Sequence, residues 1–110
     1  MKATITYIRL KSPLKFFILS YTALQIIKQL KTTNCKQYRS KGFWTKHYTM
    51  TLWNNDEEMV RFARSGAHLD AMKNSKKIAS EIRTISIPAE ELPDWNQAEK
   101  LLTKARVLKF

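Results

Sequence analysis

Acidic side chains are missing from the first half of this chain. Residues 1–55 hold ten basic residues and no aspartate or glutamate, whereas residues 56–110 hold ten basic and nine acidic ones, giving a formal charge of +11 over 110 residues. Charge segregated in this way attracts a polyanion or a small anionic ligand; the plainer reading is a solvated, lysine-rich surface. Cysteine is nearly absent. The single Cys35 excludes a disulfide scaffold and a cysteine-based zinc site, and a lone thiol suits a reducing, cytoplasmic location. Two glycines cannot build a phosphate-cradling loop, and with three prolines they exclude collagen-like and low-complexity classes. With only two histidines there is no metal cluster to assemble. Long apolar runs are lacking too. Leu14 to Ile27 is mostly apolar, but it falls short of the roughly 20 residues a span needs. Ser20, Thr22 and Gln25 interrupt it, and Lys28-Gln29-Leu30-Lys31 follows where a cleavage site would stand. Neither signal peptide nor anchor is expected, and no membrane partner.

What is present is ordinary for a globular chain. Hydrophobic residues make up 44%, aromatic residues 11% and charged residues 26%, enough for a single domain over residues 1–110 with one modest core. Ala3 to Leu10 reads as a first strand. Ser12-Pro13 reads as an N-cap followed by proline at the first helical position, opening a helix over 13–31 with an apolar stripe at Phe16, Leu19, Ala23, Ile27 and Leu30. Phe17, Leu24 and Ile26 widen it, and a stripe of this kind is ordinarily core. Cys35 to Arg39 reads as a short strand, Ser40-Lys41-Gly42 as a turn, and Phe43 to Trp53 as a strand with large side chains on both faces, His47 and Trp53 on one and Trp44 and Tyr48 on the other. Asn55 and Glu58 form a capping-box pattern that starts a helix, which Ser65-Gly66 breaks; a second piece runs to about Ile78. Glu81 to Ile87 reads as the last strand, and Asp94 caps a final helix carrying Trp95, Ala98, Leu101, Leu102 and Ala105. Val107 to Phe110 reads equally as tail or short strand. The order βαββαβ with an extra C-terminal helix predicts an α+β, ferredoxin-like domain with an antiparallel four-stranded sheet, and 110 residues supply helices for one face of it only.

Chemistry-bearing candidates are few. The carboxylates sit mainly at helix starts, where they complement the dipole. Cys35 reads as an inert strand residue. His68 follows the Ser-Gly break and is the group best suited to carry a proton or ligate a haem; the plainer alternative is a capping or surface histidine. His47, in mid-strand, either lines an interior cavity or is simply hydrogen-bonded. Trp44 and Trp53 would shape a pocket or pack beneath helices, and Arg64 and Ser65 flank His68 in sequence. Lys41, Gly42, Phe43 and Tyr48 also fit half of an RNA-recognition strand motif, but Thr45 stands where a stacking aromatic belongs. Nucleic-acid binding beyond non-specific electrostatics is therefore not expected.

The runs Gly42-Phe43-Trp44, Thr49-Met50-Thr51-Leu52-Trp53, Asp56-Glu57-Glu58, Phe62-Ala63-Arg64-Ser65-Gly66-Ala67-His68 and Ala71-Met72 resemble small bacterial proteins related to spheroidene monooxygenase. That group belongs, with the antibiotic-biosynthesis monooxygenases, to the dimeric α+β barrel superfamily. The resemblance implies a homodimer in which two sheets face each other, and a pocket between sheet and helices or inside the barrel. It further implies a monooxygenase-like enzyme acting on a hydrophobic or aromatic small molecule. The binding residues would be Trp44, His47, Trp53, Arg64 and Ser65, with His68 catalytic. The sequence requires no cofactor or metal; relatives include both cofactor-free oxygenases and haem proteins, which leaves His68 open as a haem ligand. The alternative is a non-catalytic module binding RNA or an anionic metabolite.

Overall fold

The computed structural model describes residues 1–33, 35–64 and 66–110, and the side chains of all of these except Phe43, Ala67, His68, Asp70, Ala71 and Lys76. Strand β1 (Lys2–Leu10) leads through a 3-10 turn at Pro13–Lys15 into helix α1 (Phe16–Leu30). Strands β2 (Gln37–Phe43) and β3 (Lys46–Trp53) form a hairpin. Helices α2 (Asp56–Ala63) and α3 (Gly66–Ile78) follow, then β4 (Ala79–Pro88), α4 (Trp95–Leu102) and β5 (Arg106–Lys109). The sheet order is β2-β3-β1-β4-β5, with every neighbouring pair antiparallel. The first four strands thus have the ferredoxin-like arrangement, in which β3 lies between the mutually parallel β1 and β2. The sheet has five strands rather than four, because Val107 and its neighbours pair with β4 instead of trailing as a tail.

Local signals place most of these boundaries. Asn55 Oδ1 accepts the Glu58 backbone N–H at 2.9 Å and starts α2, whose first turn carries Asp56, Glu57 and Glu58. Asp94 Oδ1 accepts the Gln97 N–H at 2.7 Å and starts α4. Gly66 opens α3 with a φ of 56°, a conformation glycine adopts without steric cost. Ser12 behaves differently from expectation. Its side chain makes no cap hydrogen bond, and its carbonyl accepts from Lys15 N–H instead.

The hairpin turn lies three residues beyond the expected one. The loop is Trp44-Thr45, and Trp44, rather than Gly42, takes a positive φ of 58°. Gly42 sits inside β2 opposite His47, and a Cβ there would run into the His47 ring. Its lack of a side chain serves a close approach, not a turn. Trp44 is consequently not a residue of β3, and it does not oppose Trp53 across one strand.

Two cores form, one on each side of the sheet. Under α4, Ala3, Ile5, Tyr7, Met50 and Leu52 pack with Leu92, Ala98 and Leu102. On the other side a smaller cluster joins Leu30, Trp53 and Phe62, with Ile26, Tyr38 and Met59 beside it. The expectation that helices cover a single face is therefore corrected: α1, α2 and α3 lie on one side and α4 on the other.

Candidate functional site

The side chains of a strand alternate between faces, so strand register decides what lies beneath the α1–α3 layer. Thr4 pairs with Thr51 on one side and Ser86 on the other, and Tyr38 pairs with Thr51. One step along, Thr6 pairs with Thr49 and Thr84, and Ser40 pairs with Thr49. Two rows of hydroxyl side chains thus cross four strands. In the first row the threonine and serine hydroxyls are engaged. Thr4 Oγ1 donates to Met59 Sδ at 2.6 Å and lies 3.1 Å from Ser86 Oγ, and Thr51 Oγ1 accepts the Trp53 indole N–H at 2.9 Å. In the second row Thr84, Thr6, Thr49 and Ser40 make no side-chain hydrogen bond to any described residue. Thr6 and Thr49 are half-buried. Above the sheet, Leu19, Ala23, Ile26 and Ile27 share the face of α1 that ends in the buried Leu30, and all four keep part of their surface exposed. The space between the two layers is thus bordered by hydroxyls on the sheet side and by apolar side chains on the α1 side.

The sequence-derived site residues distribute unevenly around this space. His47 is on the same face, one row further along and paired with Ile8. Its ring centroid lies 5.6 Å from that of Phe16 at the start of α1, and its Nε2 is 3.1 Å from the Trp44 carbonyl oxygen. It is a hydrogen-bonded, ring-packed histidine closing one end of the space. Trp53 closes the other end. It is 1% exposed and stacks at 5.2 Å on Phe62, so it acts as wall through its packing and offers no free surface. Trp44 stands apart in the hairpin turn, 70% exposed. Arg64 is exposed at the C-terminal end of α2, its backbone N–H bonded to the Val60 and Phe62 carbonyls. Ser65 and the side chain of His68 lie outside the described residues. Cys35 is half-buried, and its burial pushes the thiol pKa up, which keeps it protonated and unreactive. The described residues contain no group of three or more histidine, cysteine, aspartate or glutamate side chains able to hold a metal ion. His47, already engaged through Nε2, is not poised as a haem ligand.

The α4 side of the sheet presents a different surface. Tyr7 and Tyr48 lie 5.0 Å apart by ring centroid, and Tyr48 meets Trp95 edge-on at 6.2 Å. Lys41 Nζ sits 5.0 Å from both the Tyr48 and the Trp95 ring centroids and pairs with Glu99 at 3.3 Å. Beyond these rings an open depression of about 390 Å³ is lined by Arg9, Lys46, Glu81 and Arg83, with Arg83 and Glu81 paired at 3.0 Å. Burial is the main cause that raises the pKa of both tyrosines, so both phenols stay neutral past the ordinary range. The aromatic faces a base would need for stacking are taken: Tyr7 is buried and Lys41 covers Tyr48. The hydroxyl rows and this tyrosine cluster are absent from the sequence-derived site. The first was signalled by threonine or serine at alternate positions in three strands, but only register brings those positions into line.

Sequence comparison finds no matching protein family and no match among curated proteins. Solved structures do match in shape. An antibiotic biosynthesis monooxygenase superposes with a TM-score of 0.72 at 10% identity, covering 84% of this chain and 100% of that one. A conserved protein from Methanosarcina mazei gives 0.72 at 11% identity, covering 81% and 92%. A variant of SnoaB, a cofactor-independent oxygenase from Streptomyces nogalater, gives 0.61 at 11% identity, covering 84% and 97%. Among the described residues no helix is long and apolar enough to cross a membrane. This chain has the α+β fold of the antibiotic biosynthesis monooxygenases.

Proposed function

We propose that the space between the sheet and the α1–α3 layer binds a small hydrophobic or aromatic molecule, and that the chain is a monooxygenase-like enzyme acting on it. The observation that carries this reading is the second hydroxyl row. Its four aligned hydroxyls have no side-chain hydrogen bond among the described residues, and two of them are half-buried, so the row offers donors and acceptors to water or a ligand. A planar molecule with a few polar substituents would meet these hydroxyls on one side and Leu19, Ala23 and Ile27 on the other. The likeness to an oxygenase described as cofactor-independent favours chemistry without a resident cofactor. In this reading His68 carries the proton and Arg64 and Ser65 orient the ligand, as the sequence pattern suggests. Homodimerisation through β5 and the open half of the α4 side accompanies it. Val107, Leu108 and Phe110 are exposed on and beside that edge strand, which a second copy would cover.

The test is dioxygen uptake by the purified protein on addition of aromatic and long-chain hydrophobic compounds, together with thermal-shift binding of the same set. Uptake that disappears in His68→Ala while Thr6→Val and Thr49→Val weaken binding supports the reading. Binding without uptake reduces it to a ligand carrier. No binding to wild type, or unchanged binding in both threonine variants, overturns the site. An absorption spectrum of the fresh protein with a Soret band would replace the cofactor-free chemistry with haem chemistry.

A further inference from the structure

Helix α1 is apolar on two opposite sides. One side runs toward the core through Ala23, Ile27 and Leu30. The other points to solvent: Leu14, at the turn before the helix, is 76% exposed, Phe17 73%, Tyr21 67% and Leu24 58%. These positions recur at spacings of three and four, so they form one narrow stripe along the helix, and Lys28 and Lys31 continue the same spacing at its C-terminal end. Lys11 and Lys15 stand at its other end. None of these four lysines takes part in an ion pair among the described residues, and the chain has no acidic residue before Asp56. Trp44 lies near the N-terminal end of α1, since its carbonyl is hydrogen-bonded to the His47 ring that packs on Phe16. Its indole is exposed on a non-glycine backbone of positive φ, a costly conformation that sequences seldom keep without a use.

We propose that the outward face of α1 docks this protein on an anionic membrane surface, with the helix lying in the interface rather than spanning it. The chemistry fits on three counts. Phe, Tyr, Trp and Leu flanked by lysines are the side chains that settle at the boundary of headgroups and acyl chains. The lysines at both ends add attraction to anionic lipid. The stripe is also a convex ridge, which a deformable lipid surface accepts and a flat protein surface does not. A second copy of this chain is the poorer occupant. Antiparallel pairing of two α1 helices would set Lys28 and Lys31 against Lys11 and Lys15, and parallel pairing would set each lysine against itself, with no acid on either side. The inference departs from the expectation of no membrane partner, which rested on the lack of a span, and it stands independently of the proposed activity.

The experiment is co-sedimentation with vesicles of equal parts phosphatidylglycerol and phosphatidylcholine, and with vesicles of phosphatidylcholine alone. Binding to the first, loss of binding in raised salt and none to the second are expected. The double substitution Phe17→Glu with Leu24→Glu should weaken binding at least about tenfold, and Lys28→Glu with Lys31→Glu by a comparable factor. The melting temperature should stay unchanged in both, because all four side chains are exposed. Failure of wild type to sediment with anionic vesicles overturns the proposal. Binding that survives the Phe17/Leu24 change would show charge attraction alone and overturns it too. A drop in oligomer size caused by that same change would assign the face to a second copy.

Discussion

Along β1, Ala3, Ile5 and Tyr7 point toward α4 and are buried, while Thr4, Thr6 and Ile8 point toward the α1–α3 layer and keep part of their surface exposed. The neighbouring β3 repeats the division, with Met50 and Leu52 closed in on one side and Thr49 and Thr51 on the other. One sheet thus carries a face whose centre under α4 is dry and aliphatic, and a hydroxylated, half-open one. Burying apolar surface is what stabilises a domain of this size, so the α4 face supplies most of the holding energy. The α1–α3 face gives up part of that gain by setting threonine where valine would pack, a substitution that makes physical sense when something polar has to be met there.

The sharpest way to break this comparison is at the one point where the half-open side is closed. Trp53→Ala should destabilise by about 3–5 kcal/mol, because the indole is 1% exposed, is stacked on Phe62 and donates to Thr51. Trp95→Ala, on the opposite face, should cost clearly less, since Trp95 is half-buried at the start of its helix, with Lys41 over its ring and Tyr48 in an edge contact. Equal denaturation midpoints for the two variants would remove Trp53 as the anchor of the helix layer.

Next in size is the contrast between adjacent residues. Ile5→Ala should cost about 2–5 kcal/mol, whereas Thr6→Ala should stay within about 1 kcal/mol, although the two are neighbours on β1. Chemical denaturation of both variants measures the difference directly. A Thr6→Ala loss as large as that of Ile5→Ala would mean that the hydroxyl row is sealed core, and the ligand site would fall with it.

Capping comes third. Asn55→Ala removes the side chain that receives the Glu58 N–H and should cost about 1 kcal/mol. Asp94→Ala removes the equivalent bond at α4. Hydrogen exchange would separate the two: the Asn55 change should speed exchange in α2, and the Asp94 change should speed it in α4, which packs directly on the dry core. Exchange that rises equally throughout the chain in both would show a single cooperative unit with no softer side.

How far the sequence alone leads differs between these two faces for identifiable reasons. Element order was legible, because helical and strand periodicities, the Asn55 and Asp94 caps and the Ser65-Gly66 break are local signals. The hairpin turn was not. Gly42 invites a turn by its conformational freedom, and its real constraint, the His47 ring, comes from across the strand pair. Phe17 and Leu24, on the outward side of α1, looked like core, since periodicity reports that a face is apolar and not whether anything lies over it. Tyr48 and Lys41 were visible as part of an RNA-binding pattern, while their packing with Tyr7 and Trp95 depends on α4 crossing the second face. The hydroxyl row required the register of four strands at once. His47 and Trp53 were legible as members of one face, and their roles as the two ends of a space were not.

The smallest expected effect belongs to the dry face and appears only in alkali. Burial raises the phenol pKa of Tyr7 and of Tyr48, and Glu99 adds to the effect at Tyr48. A phenol whose pKa is higher folded than unfolded holds its proton more tightly in the native state. Its contribution is therefore fully present below the unfolded value near 10, and it is lost as pH rises through the folded value. Stability should accordingly fall with pH above about 10, and Tyr7→Phe should flatten that fall, because a phenylalanine cannot ionise. At neutral pH the same substitution should change stability little, since the Tyr7 hydroxyl makes no hydrogen bond among the described residues and the ring stays packed on Tyr48. Ultraviolet titration of the tyrosines beside urea melts at successive pH values makes the measurement. A Tyr7→Phe protein that loses stability in alkali as steeply as wild type would show that this tyrosine is reached by solvent, and that the face under α4 is less closed than its aliphatic half suggests.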